Sequence, residues 1–147
     1  MLDLVLHNRT SDRALGRAMA ARTCAAVLPH LKLGKVRSVE LGIVVVGSTA
    51  MRTLNRTRRR NDEATDVLSF PLAMRPMNGY TSLLLGDLFI CPEVVRHKAA
   101  AAGRSVRAQM QWTLVHGMLH LGGYDHERSA SAARRMFALE QKILASL

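Results

Sequence analysis

VRAQMQWTLVHGMLHLGGYDH, residues 106 to 126, decides how the rest of the chain can fold. At about 100° per residue, Val106, Met110, Leu114 and Met118 form one stripe and Trp112, Val115 and Leu119 form another, so the helix is apolar nearly all round. A helix without a polar face must be largely buried, and this one is expected to run through the body of the domain. Ser105 precedes it as a candidate N-cap. Gly122 and Gly123 follow it, and both can adopt the left-handed or unusual backbone that ends a helix and turns the chain back.

Positions four apart lie one turn above each other, so His116 and His120 project from the same face, while the glycine turn lets His126 approach that point from outside the helix. Three imidazoles at about 2.0 to 2.1 Å leave a fourth position on a tetrahedral zinc for water; a closed structural site would need one more ligand. Zinc is the expected ion, although imidazole also suits nickel, copper and iron. The register His116, His120, Gly123, His126 is that of the metzincin zinc proteases, but Gly117 stands where those enzymes carry the glutamate that takes a proton from water. Peptide hydrolysis is therefore not expected unless another part of the chain supplies a carboxylate. Asp125 either orients water or accepts backbone hydrogen bonds in the turn, and the second role is the expected one. His7, His30 and His97 are read as hydrogen-bonded core residues without a catalytic role.

Outward from this helix, 147 residues without repeats or linkers form one domain, residues 1–147. LDLVLH reads as a strand, followed by a helix beginning at Thr10 or Ser11 as N-cap, with Leu15, Ala18, Met19, Ala26 and Leu28 at helical spacing until Pro29 stops it. VELGIVVVG is rich in β-branched residues and reads as a buried strand; Ser48 then caps a short helix, TAMRTLNRT. TDVLSFP and LLLGDLFI are two more strands, separated by a loop holding Pro76, Asn78 and Gly79. PEVVRHKAAAAG is a helix with proline in its first turn, ending at Gly103. The last helix follows Ser129, with Met136, Leu139, Ile143 and Leu147 on one stripe. The sum is an α+β, or mixed α/β, domain with about four strands in a mixed sheet and about five helices around a metzincin-like three-histidine site. Asn55, Asp66, Ser69 and Asp87 are expected to cap or turn the backbone around that site.

Twenty-one Lys and Arg against eleven Asp and Glu leave a net charge of +10, and Arg52, Arg56, Arg58, Arg59 and Arg60 crowd one short segment. That density points to a polyanion, commonly nucleic acid, or to a solvated helix end that keeps the protein soluble. An interfacial membrane helix would need an aromatic and leucine-rich opposite face, which the segment lacks. Aromatic residues make up only 4%, which argues against reading single-stranded bases mainly on aromatic platforms, so contacts should run through phosphates and shape. No window reaches the roughly 18 continuous apolar residues of a membrane span, and the first ten residues lack the pattern of a secretory signal, so a cytoplasmic location is expected. Cys24 and Cys91, far apart and outside any C-x-x-C pair, are read as small core residues.

HGMLHLGGYDHE resembles the hallmark of the YbeY family of bacterial endoribonucleases. LNRTRRRNDEATDVLSFP and LLLGDLFIC resemble two further stretches of that family in the same order, so the resemblance spans essentially the whole chain, most clearly from about residue 40 onward. It implies a metal-dependent, single-strand-specific ribonuclease that matures ribosomal RNA, especially the 3′ end of the small-subunit RNA, and serves ribosome quality control, with the ribosome or its proteins as partners. His116, His120 and His126 match the family's zinc ligands and Arg59 its active-site arginine. Arg56, Arg58 and Arg60 are then expected to bind substrate beside it. Arg58 stands at a commonly aromatic position and Ala64 at a common proline, which puts groove shape and RNA preference in question. The rival reading is a ribosome-assembly or RNA-binding factor whose zinc chiefly stabilises the fold. A zinc peptidase is the residual third.

Overall fold

In the second strand every other side chain is apolar and buried, and that period of two sets the sheet. The computed structural model describes residues 1–72 and 81–147, so the loop containing Pro76, Asn78 and Gly79 lies outside the described residues. The elements run β1 (Leu2–Asn8), α1 (Arg17–Val27), a short 3-10 turn (Leu28–His30), β2 (Ser38–Val45), α2 (Ser48–Arg59), β3 (Val67–Pro71), β4 (Ser82–Ile90), α3 (Pro92–Ala102), α4 (Val106–Leu121) and α5 (Ala130–Ala145). The four strands are ordered β1-β2-β4-β3. β1 and β4 flank β2 in parallel, and β3 closes the edge antiparallel to β4. The expected α+β domain with a four-stranded mixed sheet and five helices is what the chain forms.

Val39, Leu41, Ile43 and Val45 of β2, with Leu83, Leu85, Leu88 and Ile90 of β4, face one side, where Met110, Leu114, Met118 and Leu119 of α4 pack against them. α4 also touches α1, α3 and α5, so it is surrounded, as its all-round apolarity requires. Each such fully buried side chain contributes about 2 kcal/mol of transfer free energy. On the other face α2 lays Met51 and Leu54 over Leu68, Phe70 and Phe89, the last two packed edge to face at 5.4 Å.

A β-bulge shifts the register of β4 against β2 between Glu40 and Leu41. The inserted residue moves Asp87 to the outer face, over Gly42, and keeps Leu88 in the core. Asp87 therefore does not border the histidines, contrary to its expected place around the site. Gly86 makes the bulge possible: its φ is +142°, and a Cβ there would sit 2.3 Å from the Phe70 carbonyl oxygen.

Helix boundaries follow the sequence where a side chain caps and depart from it where none does. Ser105 and Ser129 accept the amide hydrogens of Ala108 and Ala132 at 3.1 and 3.0 Å. Gly103, in the left-handed region at φ +64°, ends α3. α1 starts later than expected, at Arg17 behind Gly16, because Thr10 is used in a loop: its amide and hydroxyl donate to Asn8 Oδ1 and its Oγ1 accepts from the Asp12 amide. α2 is preceded by Gly47, with Ser48 already inside the helix and making no cap bond. His7 and His97 are exposed and His30 is half-buried, so none is the core residue it was read as. Cys24 and Cys91 are fully buried, and burial pushes the Cys24 thiol up to about 12, so it stays protonated and inert. No helix among the described residues is long and apolar enough to cross a membrane.

Replacing Gly86 by alanine should cost on the order of 1–3 kcal/mol, because the added methyl meets backbone and the dihedral disfavours any side chain. Urea unfolding of Gly86→Ala beside the parent measures it, and an unchanged midpoint would mean that the bulge does not require glycine.

Candidate metal centre

Because α4 is held on all sides, the two histidines one turn apart on it have little freedom, and their Nε2 atoms stand 3.1 Å from each other. One ligand atom from each of His116, His120 and His126 lies within 4.8 Å of the others. His116 and His120 are half-buried, while His126, on the turn after the helix, is exposed. The paired glycines work differently from one another. Gly123 takes the positive φ of +93°, whereas Gly122 has an ordinary backbone and is needed for space, since a Cβ there would lie 2.3 Å from Leu31 Cδ2. Asp125 accepts the Glu127 amide at 2.9 Å, the turn role expected of it.

Behind His116 stands a residue that the sequence reading missed. Glu140 of α5 is 4% exposed, and its carboxylate lies 2.6 Å from His116 Nδ1. That bond fixes the tautomer: Nδ1 donates to the carboxylate and Nε2 turns its lone pair toward the other two rings. The sequence signal was a charged residue on the apolar stripe of Met136, Leu139 and Ile143. Trp112, one turn before His116, stacks on its other side at 4.8 Å and 18° between planes. Burial, aided by His116, His126 and Arg59 and opposed by the Tyr124 backbone, holds His120 below the ordinary imidazole range. An oriented pair of imidazoles with a third on a turn is a donor set that fits a transition metal.

The rim is basic. Arg59, the last residue of α2, lines both cavities that reach the histidines, one of about 630 Å³ on the side of Asp125 and Arg128, one of about 190 Å³ bounded by Asp66, Ser69, Lys98 and Trp112. Arg56, Arg58 and Arg60 line neither cavity. Arg52 holds Asp62 through two hydrogen bonds with Arg56 at 3.8 Å, and Arg58 lies over the Phe70 ring at 5.7 Å. Asp66 joins three elements: it accepts from the Val67 amide and the Thr113 hydroxyl and pairs with Lys98 Nζ at 3.2 Å. Asn55 ties the loop after α2 by donating to the Glu63 carbonyl, and Ser69 donates to the Gly117 carbonyl. These three carry the structural roles expected of them.

Gly117, the puzzle of the histidine motif, faces the sheet. A Cβ there would lie 3.0 Å from both Val67 Cγ2 and Leu88 Cδ2. The glycine is thus a close-packing residue, and any side chain there would have to displace Val67 and Leu88.

These features define an α+β domain built around three converging histidines that could hold a metal ion, with a basic rim. A family model described as Endoribonuclease YbeY matches residues 6–147. Two proteins named Endoribonuclease YbeY are similar over most of their length: that of Persephonella marina is 32% identical, covering 98% of this chain and 92% of its own. That of Stutzerimonas stutzeri is 40% identical, covering 100% and 88%. A solved structure, the solution structure of TM1509 from Thermotoga maritima, is 25% identical with a TM-score of 0.57, covering 98% of this chain and 87% of that one. The chain belongs to the YbeY family.

Two substitutions test this geometry. Glu140→Gln should weaken zinc binding about tenfold or more, read by competition with a chromogenic chelator, because the neutral amide no longer supports the His116 ring as strongly. Gly117→Glu should lower the melting temperature and yield no peptidase activity; a stable variant that cleaves casein would show that the position faces the metal instead.

Proposed function

We propose that this domain is a zinc-dependent endoribonuclease that cuts single-stranded RNA, that its substrate is small-subunit ribosomal RNA near the 3′ end, and that it works in the cytoplasm with the ribosome or its proteins as partners, in rRNA maturation and ribosome quality control. The observation that carries this reading is the meeting of three converging imidazoles and the free end of Arg59 in one open cavity. The relatives' shared name and the net charge of +10 support RNA as the polyanion.

His116, His120 and His126 would hold the ion, which when bound would supply Lewis acidity at the converging Nε2 atoms. Glu140 keeps His116 in the binding tautomer, and Arg59 offers a planar fork to two non-bridging phosphate oxygens and to the charge that develops on them. Arg56, Arg58 and Arg60 act at longer range, raising the local positive potential along which the phosphate backbone approaches. Peptidase chemistry lacks support, because Gly117 supplies no base and the Glu140 carboxylate is buried against His116 Nδ1, on the side away from the converging Nε2 atoms.

The test is cleavage of a single-stranded-ended 3′ fragment of small-subunit rRNA by the parent, Arg59→Ala and His120→Ala, with zinc content measured in each. The parent should cut, Arg59→Ala should keep its zinc and lose about a hundredfold in rate or more, and His120→Ala should lose both zinc and cutting. Equal cutting by the parent and Arg59→Ala, or none by either, would favour a binding factor over an enzyme.

A further inference from the structure

Beside the cavity that holds His116 lies a second one of about 460 Å³ between the C-terminal end of α3, the middle of α4 and α5. Lys98 and Trp112 line both cavities, so the two adjoin. Its wall carries two aromatic rings, Trp112 and Phe137, and two cations, Lys98 and Arg104, with the Gln109 and Gln141 amides between them. Phe137 is 62% exposed and sits one turn from Glu140, on the same face of α5. Trp112 has the His116 ring stacked on it.

Resting on the ribonuclease reading above, the geometry points to this cavity as a nucleotide subsite: it receives the base next to the phosphate held at the histidines and stacks it on Phe137 beside Trp112, while Arg104 faces the following phosphate and Lys98, paired with Asp66, adds positive potential. The chemistry matches a single strand and not a duplex. A ring platform serves any base once it is unstacked, and a cation beside it meets the backbone one residue on. A paired base in an A-form helix offers no face to such a platform. The low aromatic content of the chain is compatible with this, since one subsite needs only the two rings gathered here. The subsite accounts for a single-strand preference without base-specific hydrogen bonds, so the preference is for unstacked nucleotides over any particular sequence.

Trp112 is the only tryptophan, so its fluorescence reports on the subsite directly. The experiment titrates zinc-loaded parent and Phe137→Ala with a single-stranded 2′-O-methyl oligoribonucleotide, verified as intact by gel after each titration, and repeats it with an abasic residue placed at each position in turn. The parent should show saturable quenching, and Phe137→Ala should raise Kd by about five- to fiftyfold with zinc content and melting temperature unchanged. One abasic position should cost the parent that same factor and cost the variant nothing further. Equal affinity of the two proteins, or abasic penalties identical in both at every position, would overturn the subsite while leaving the ribonuclease reading intact. Absence of binding by the parent would overturn the subsite, and cleavage of the rRNA fragment by the same preparation decides whether the ribonuclease reading falls with it.

Discussion

The burial of α4 is the constraint on which the rest depends. A helix that is apolar around its circumference has no stable place except between layers, and here the sheet, α1, α3 and α5 supply those layers. Burial fixes its rotation, and its rotation fixes where His116 and His120 point. The same packing that leaves Gly117 against Val67 and Leu88 turns the imidazoles toward the open end of the domain, where α2 brings Arg59. The core and the site are therefore one device: His116 and His120 are held as firmly as the core helix that carries them.

Around that helix the polar residues form supports, each reaching from a different element. Glu140 comes from α5 to His116, Asp66 from the start of β3 to Thr113 and Lys98, and Ser69 from β3 to the Gly117 carbonyl. Buried polar groups of this kind stabilise only when fully satisfied. Among the described residues Thr23 Oγ1 is the one buried side-chain atom left without a partner, and it lies in α1, away from the histidines.

Much of this was legible in the sequence because local chemistry decided it. The bounds of α4 and the serine caps of α4 and α5 follow from side chains acting within a turn of their own backbone, and the histidine cluster follows from spacing plus a glycine turn. What could not be read depended on distance along the chain. The start of α1 is the local exception: Asn8, two residues before Thr10, accepts its amide and hydroxyl, and that side-chain turn competes with the cap. Glu140 is 24 residues from His116, and only the packing of two helices makes them partners. The bulge at Gly86 moved Asp87 across the sheet by a single inserted residue, a shift that strict alternation cannot express. The arginine cluster was legible as a charge but not as a division of labour, with Arg52 and Arg56 drawn to Asp62, Arg58 to Phe70 and Arg59 to the histidines.

One feature of that cluster separates it from an ordinary solvated face. α3 and α2 end in the same left-handed conformation, but where α3 uses Gly103 at φ +64°, α2 uses Arg60 at φ +56°. A residue with a Cβ in that region costs about 1 kcal/mol relative to glycine. The chain thus carries a cation at the one position of the segment where backbone geometry argues most strongly for having no side chain at all. On a surface whose charges were interchangeable, that position would be the easiest to leave to glycine; here Arg60, which lines neither histidine cavity, holds it at that small cost in stability.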